Sequence, residues 1–468
     1  MAPASSATAA APARRDRLLF TGVLVLAGLA QLALFSYATA PGLAGTSDSR
    51  LYLHAAHTLR ETGQLLNPDG TPYRYWPPLY PVLLAVAGSL PGIRMLHGAC
   101  LLGSLLLWSW LGRQLLPTRR AVVLPILLAL STPWLLVSKF VWSESLFILL
   151  FAAYAACLFH WLRSGLGAWW LAATVAGFFM PLERTLGLFL LAGIGGGLVL
   201  GRRYVLSIRH WLRFGLHLAL STVGGVWWQW YALHAGPSRY HPSRGWDQLL
   251  SSAADYGFVL GRWLLLLPAS GRVLLPSVVW ALLLLALFWG LWPRSAQSRS
   301  AASLAESPAF NALRNGVGQS PAGSHILMLQ ASWSACATLV ALVAVLTLFA
   351  QSAAGIHDAE RYASVLFGPV MLLVLAAWPA RVPRWLSRVV VAVLLVFAGL
   401  RVGHVAQDLR RVPSVSFPEP APHGQRVGAT GKQIPNRLAQ LRMHQHVGNL
   451  GQGHQHETTL SQPRMWHG

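Results

Sequence analysis

The residues that could do chemistry gather in one polar strip, SDSRLYLHAAHTLRETGQLLNPDGTPYRYWPPLYP, at positions 47–81. Asp48 opens it, just beyond a long apolar run. A carboxylate held there could take a proton from an incoming hydroxyl or anchor a divalent cation, and it would equally serve as a helix N-cap. At 100° per residue, Arg50, His54, His57 and Glu61 form one polar stripe, with Leu51, Ala55 and Leu59 on the other side. The spacing predicts an amphipathic helix over 49–62, stopped by Gly63. His54 and His57, three residues apart, could share a metal, although the local pattern lacks a third ligand. Asp69, in Asn67-Pro68-Asp69-Gly70, reads as a turn former. Tyr73, Tyr75, Trp76 and Tyr80 could flank a ring-shaped substrate, and an aromatic belt at a membrane surface predicts them equally well.

Further charged residues stand at the edges of apolar runs. Glu144, beside Ser143, starts one and fits plain helix capping. Glu183-Arg184 fits a self-paired turn, because charge clusters at span ends wherever burying it at mid-membrane is costly. Arg361-Tyr362 precedes another run and fits an interfacial anchor pair.

The elements that must position these residues are membrane spans. The chain is 54% apolar and only 11% charged over 468 residues, with a mean hydropathy of +0.48. Many runs approach the ~20 apolar residues that cross a ~30 Å hydrocarbon layer. The expected fold is an all-α integral membrane protein of about eleven transmembrane helices. They lie near 18–38, 94–116, 121–138, 144–162, 166–181, 184–201, 211–233, 272–292, 327–350, 363–379 and 386–402. Segment 77–90 is too short to span and is expected to be a juxtamembrane helix.

The net charge of +22 could suggest a nucleic-acid partner, but most arginines sit in short loops between spans. The groups Arg113/Arg119/Arg120, Arg163, Arg202/Arg203/Arg209/Arg213, Arg294/Arg299/Arg314 and Arg381/Arg384/Arg388 all fall on one side, which marks it as cytoplasmic. The loop 39–93 then faces outward. Ala38-Thr39-Ala40 mimics a leader cleavage site, but the run before it is long for a leader and Pro41 follows it, so the first span is expected to stay. Residues 1–17 are expected to form a disordered cytoplasmic N-terminus, 18–402 the membrane domain and 403–468 a disordered tail. Segment 293–325 reads as a flexible loop. Cys100, Cys157 and Cys336 each lie in an apolar run and read as packing residues. The tail's His444/His446 and His454/His456 have no folded frame to make them a metal site.

The chain resembles the GT-C class of polytopic glycosyltransferases, which includes the aminoarabinose transferases of lipid A and the protein O-mannosyltransferases. The resemblance runs through DSRLYLHAAHTLRETG at 48–63, NPDG at 67–70, YWPPLYPVLLA at 75–85, SESLF at 143–147, LERTLGL at 182–188 and ERYASVLFGP at 360–369. With the order of the spans it covers roughly residues 18–402. It implies an inverting transfer of sugar from a polyprenyl-phosphate donor to an acceptor hydroxyl, at the outer face of a bacterial inner membrane. By that analogy Asp48 is the catalytic acid/base or metal anchor, for Mg or Mn, and Glu144 a second acidic group near the cavity. Many relatives carry two adjacent acidic residues where this chain has Asp48-Ser49. Where the aminoarabinose transferases have a lysine before the Pro-Pro step, this chain has Trp76, so Arg74, Arg184 or Arg361 must neutralise the phosphate. Arginine suits that task because its planar fork pairs bidentately with phosphate oxygens. Tyr362, Tyr80 and His54 complete the expected substrate-binding set.

A rival reading is a transporter or flippase of a lipid-linked substrate. It predicts ionisable residues in the middle of several spans and internal pseudo-repeats, whereas the charges here crowd the loops and span ends and no repeat is evident.

Overall fold

Glycine, proline and serine interrupt the apolar runs, and those interruptions decide where each helix starts and stops. The computed structural model describes residues 7–74, 76–200, 208–235, 255–256, 258–263, 356–377 and 383–416. All of these fall within one unit, Met1–Leu266 with Leu275–Pro418. Among the described residues the regular structure is helical, with isolated bridges only.

Helix α1 runs over Ala7–Ala38, so helix begins within the N-terminal segment expected to be disordered. The amphipathic α2, Ser47–Thr62, is ended by Gly63, whose φ of 74° is a left-handed conformation that a side chain would strain. The short α3, Leu79–Ala87, stops at Gly88, and Ser89 at once caps α4, Leu90–Leu115, by accepting from the Gly92 N–H at 3.2 Å. The expected helices at 49–62 and within 77–90 are thus both present.

Helices α5, Thr118–Ala129, and α6, Thr132–Lys139, share one apolar run. The break falls where Ser131 caps α6 through the Trp134 N–H, 3.2 Å away, with Pro133 in its first turn. Then come α7, Glu144–Ser164, α8, Gly167–Glu183, α9, Leu186–Leu200, and α10, Ile208–His234. Past the undescribed residues lie α11, Ile356–Ala363, a single 3-10 turn at Ser364–Leu366, α12, Phe367–Ala377, and α13, Arg384–Arg411. Helix α7 packs on α4 and α8, α8 on α10, and α1 on α4, α5 and α13.

Six segments among the described residues are long and apolar enough to cross a membrane: Arg15–Ala38, Leu90–Leu115, Thr118–Lys139, Glu144–Ser164, Ala359–Ala376 and Arg388–Arg411. The protein is therefore an integral membrane protein. The expected total of eleven is not reached among the described residues. Helices α8, α9 and α10 occupy the places expected for three more spans, but α8 and α9 have only 17 and 15 residues. The spans expected at 272–292 and 327–350, with the loop 293–325, lie outside the described residues. Apolar stripes exposed at helical spacing, such as Val389, Val393, Val396 and Leu400 on α13, have the character of lipid-facing surface.

The boundary expected at 402 is corrected. Helix α13 continues to Arg411, because Val402, Ala406 and Leu409 recur every three to four residues and are buried. Residues 417–468 lie outside the described part.

One end of the bundle holds the C-terminal ends of α1, α6 and α8 and the N-terminal ends of α4 and α7, together with α2 and α3. Arg113 and Arg163 stand at the far ends of α4 and α7, where Arg163 donates to Gln114 Oε1 at 2.9 Å.

Candidate active site

The short loop between α1 and α2 is held from both sides. The Ala44 N–H donates to the Lys139 carbonyl at 2.8 Å, and Val141 N–H returns a bond to the Ala44 carbonyl at 2.9 Å. On the other flank the Val415 N–H donates to the Leu43 carbonyl at 2.8 Å. Gly42, at φ 115°, and Gly45 make this approach possible: a Cβ on either would come within 2.8 Å of Ser414 or Val415 side-chain atoms. Lys139 is buried and closes the end of α1, its Nζ donating to the carbonyls of Ala38 (3.1 Å) and Gly42 (2.8 Å).

That clamp fixes the start of α2. Thr46 is the N-cap residue; its N–H donates to Ser49 Oγ at 2.9 Å, and its own Oγ1 accepts from Trp142 Nε1 at 2.9 Å. Asp48 is therefore not the N-cap. It sits in the first turn, where the exposed N–H dipoles favour a carboxylate, with its side chain free to reach across the bundle.

It reaches Arg361. Asp48 Oδ2 accepts from Arg361 Nη1 at 2.7 Å, and Arg361 Nε donates to Glu144 Oε1. The same Glu144 oxygen also pairs with Arg184 Nη1, and that nitrogen donates to Ser143 Oγ at 2.9 Å. Two carboxylates and two guanidiniums from four separate stretches thus form one chain, Asp48–Arg361–Glu144–Arg184, with no net charge. Charge balance is what makes it tolerable, since an unpaired ion taken out of water costs several kcal/mol.

The Arg361 guanidinium lies 4.2 Å from the Trp142 ring centroid. Tyr362 stands 5.5 Å from Arg361 and 5.3 Å from Arg184. Burial is graded along the network. The Glu144 side chain is inaccessible and Arg361 is 5% exposed, whereas Arg184 keeps 15% and Asp48 21%.

Three of the four partners stand at helix interruptions. Asp48 opens α2 and Glu144 opens α7, each near free N–H groups. Arg184 sits in the break between α8 and α9 with an extended backbone, φ −149°. The Glu183-Arg184 pair expected as a self-paired turn is split. Arg184 turns to Glu144, while Glu183 is buried with neither oxygen meeting a donor among the described residues. Glu144, expected as a second acid near a cavity, is instead the sealed counter-ion of two arginines.

The remaining expected residues lie around or away from this network. Tyr80 is fully buried. Its hydroxyl bonds His97 Nε2 at 2.8 Å, and His97 Nδ1 meets the Ser138 carbonyl at 2.9 Å. A carbonyl can only accept, so Nδ1 carries a proton in that bond. Tyr80 in turn meets Tyr52 edge-on at 5.0 Å, and Tyr52 packs 5.2 Å from Trp76. Tyr80 is a support behind Tyr52, which shares the Asp48 face of α2 at i, i+4. Burial raises the Tyr52 and Tyr73 phenols above their usual values, which keeps both neutral.

His54 lies on the outer stripe of α2, beside the Asn67 main chain, and burial lowers its pKa; no contact joins it to the network. Arg74 is half-buried in the loop before α3, outside the ion pairs named above. Among the described residues no three His, Cys, Asp or Glu side chains come together, and one Asp48 oxygen is already held by Arg361. Trp142, Lys139 and the 414–415 strap had no signal in the sequence, since each acts through contacts more than ninety residues away.

No protein-family model and no curated protein sequence matches the chain. Solved structures similar to it include ArnT from Cupriavidus metallidurans bound to undecaprenyl phosphate, at a TM-score of 0.45 and 14% identity, and the same protein in the apo state, at 0.44 and 15%. Each comparison covers 83% of this chain and 76% of that chain.

Proposed function

We propose that this protein is a membrane glycosyltransferase that moves a sugar from a polyprenyl-phosphate donor to an acceptor hydroxyl. The Asp48–Arg361–Glu144–Arg184 network carries the reading. A transfer of this kind needs a base for the hydroxyl proton and cationic donors for the phosphate that leaves, and the network sets the two side by side. The motifs that resemble the GT-C class fall on these same residues.

Asp48 is the base. It is the more exposed of the two carboxylates, and one of its oxygens is turned and held by Arg361. The acceptor oxygen attacks the anomeric carbon while Asp48 takes its proton. The bond from that carbon to the phosphate oxygen breaks, and polyprenyl phosphate departs with the electron pair, so the configuration at carbon inverts. Arg184 and Arg361 receive the phosphate charge, with Glu144 as the buried counter-ion that fixes both guanidiniums. Tyr362 packs against both. The arginines gathered at the far ends of α4 and α7 favour that side as the cytoplasmic one, which turns Asp48 outward.

The test is sugar transfer by the detergent-purified protein from radiolabelled polyprenyl-phosphate sugars, with and without chelator. Labelled acceptor product is expected, and Asp48→Asn should lower its rate by ~100-fold or more while the protein still inserts and elutes as wild type. Full activity in Asp48→Asn would remove Asp48 from the mechanism. No transfer from any such donor would overturn the reading.

A further inference from the structure

A second charged cluster lies at an apolar groove whose lining shares no residue with the Asp48 network. The groove runs between α13 on one side and α5 and α12 on the other, lined by Leu127, Leu130, Leu375, Val391 and Leu394, with Arg262 and Arg401 among its walls. Arg262 pairs with Glu360, and Arg401 Nη1 donates to the Arg262 main-chain carbonyl at 2.6 Å. Among the described residues Arg401 meets no carboxylate and the buried Nε atoms of both arginines meet no hydrogen-bond partner. Among the described residues the cluster thus sets two guanidiniums against one carboxylate, an excess of one positive charge, with Arg401 inside a span.

Such a charge marks a binding site, because membrane insertion penalises it unless a partner arrives. The partner must bring an anion and tolerate apolar walls along its length. Helix α13 has two opposed faces here. Val391, Leu394, Leu395, Ala398 and Arg401 line the groove, while Val389, Val393, Val396 and Leu400 are exposed on the far side. An occupant of the groove would therefore lie between α13 and the body of the bundle, completing their packing.

We infer that this groove binds an anionic phospholipid of the bilayer, with its phosphodiester on Arg401 and Arg262 and one acyl chain along α13. Arginine forks suit phosphate oxygens, and Glu360 limits the excess to the single charge that one phosphodiester neutralises. The groove and the network being built from different residues, the lipid acts as a bound structural partner and not as the sugar donor.

The experiment incubates the delipidated full-length protein with phosphatidylglycerol, phosphatidylcholine or undecaprenyl phosphate and counts retained lipid by native mass spectrometry. Wild type should retain phosphatidylglycerol at least fivefold over phosphatidylcholine. Arg401→Gln should abolish that preference and Arg401→Lys should keep most of it. Leu394→Trp, which fills the groove and leaves the charges alone, should lower retention as well. Arg410→Gln, an exposed arginine outside the groove, should retain the lipid as wild type does. Equal retention in wild type, Arg401→Gln and Leu394→Trp would overturn the inference. So would one-for-one displacement of phosphatidylglycerol by undecaprenyl phosphate with Arg401→Gln weakening both, because the groove would then belong to the donor.

Discussion

Asp48 and Arg361 lie 313 residues apart in the chain, yet Asp48 Oδ2 and Arg361 Nη1 meet at 2.7 Å. Neither could be held this way alone. Arg361 is locked from behind by Glu144 and Trp142, and Asp48 by the clamp on residues 42–46. The pair therefore reports on both halves of the membrane domain at once, and each of its supports can be tested separately.

Glu144 is the support with the largest expected effect on stability. Glu144→Gln leaves two guanidiniums short of a counter-charge in a buried site, and breaking a buried ion pair from one side costs about 3–5 kcal/mol. A large drop in the detergent unfolding midpoint is expected. Adding Arg184→Gln should restore part of it, because the second change removes one of the stranded charges. Strict additivity of the two losses would show that the shared oxygen does not couple them.

The clamp predicts a separable defect. Gly42→Ala puts a Cβ 2.8 Å from Ser414 Cβ at a φ of 115°, a strain of about 1–3 kcal/mol. The loop between α1 and α2 should open to protease while α4 and α7 stay protected. Sugar transfer should fall with it, since Asp48 loses its register. Removing the chain after Arg411 should reproduce both effects, and removing it after residue 416 should produce neither.

Glu183 predicts the opposite sign. A buried carboxyl without donors is a standing cost, so Glu183→Leu should be neutral or should stabilise by about 1–3 kcal/mol. A fall in stability would mean that its oxygens are satisfied by water or ligand. A fall in transfer rate with stability unchanged would place Glu183 in the reaction.

His54 sets a small pH dependence. Burial holds its folded-state pKa below the ordinary value, so the unfolded chain takes up the proton first as pH falls. Its contribution is present above the ordinary histidine range and is lost as pH drops through that range. His54→Gln should flatten this part of the stability profile between about pH 7 and 5. An unchanged slope would assign it to other groups.

Much of the architecture is legible in order. Gly63 ends α2 as its spacing predicts, because a cap is local chemistry read from a few neighbouring residues, whereas the break at Ser131 and Pro133 divides the single span expected at 121–138. The period of the apolar residues likewise marks α2 as amphipathic. The boundary at 402 misled because composition turns polar there, while Val402, Ala406 and Leu409 still bury one face of α13.

The site divides along the same line. Asp48, Glu144, Arg184 and Arg361 announce themselves as charges beside apolar runs, where membrane burial makes any charge conspicuous. Which of them pair does not follow from spacing. Arg184 could satisfy Glu183 next door or Glu144 on another helix, and only packing of α7 against α8 settles it. The sequence by itself determined that the chain is helical, where most of its apolar helices lie and the set of candidate charges, since these follow from local propensity and hydropathy. Tertiary structure alone decided that Glu144 is sealed between two arginines, that Tyr80 is buried against Tyr52 and His97, and that residues 414–415 strap the loop before Asp48. Long-range contacts carry that information because ion pairing and burial depend on distance in space, which separation along the chain does not encode.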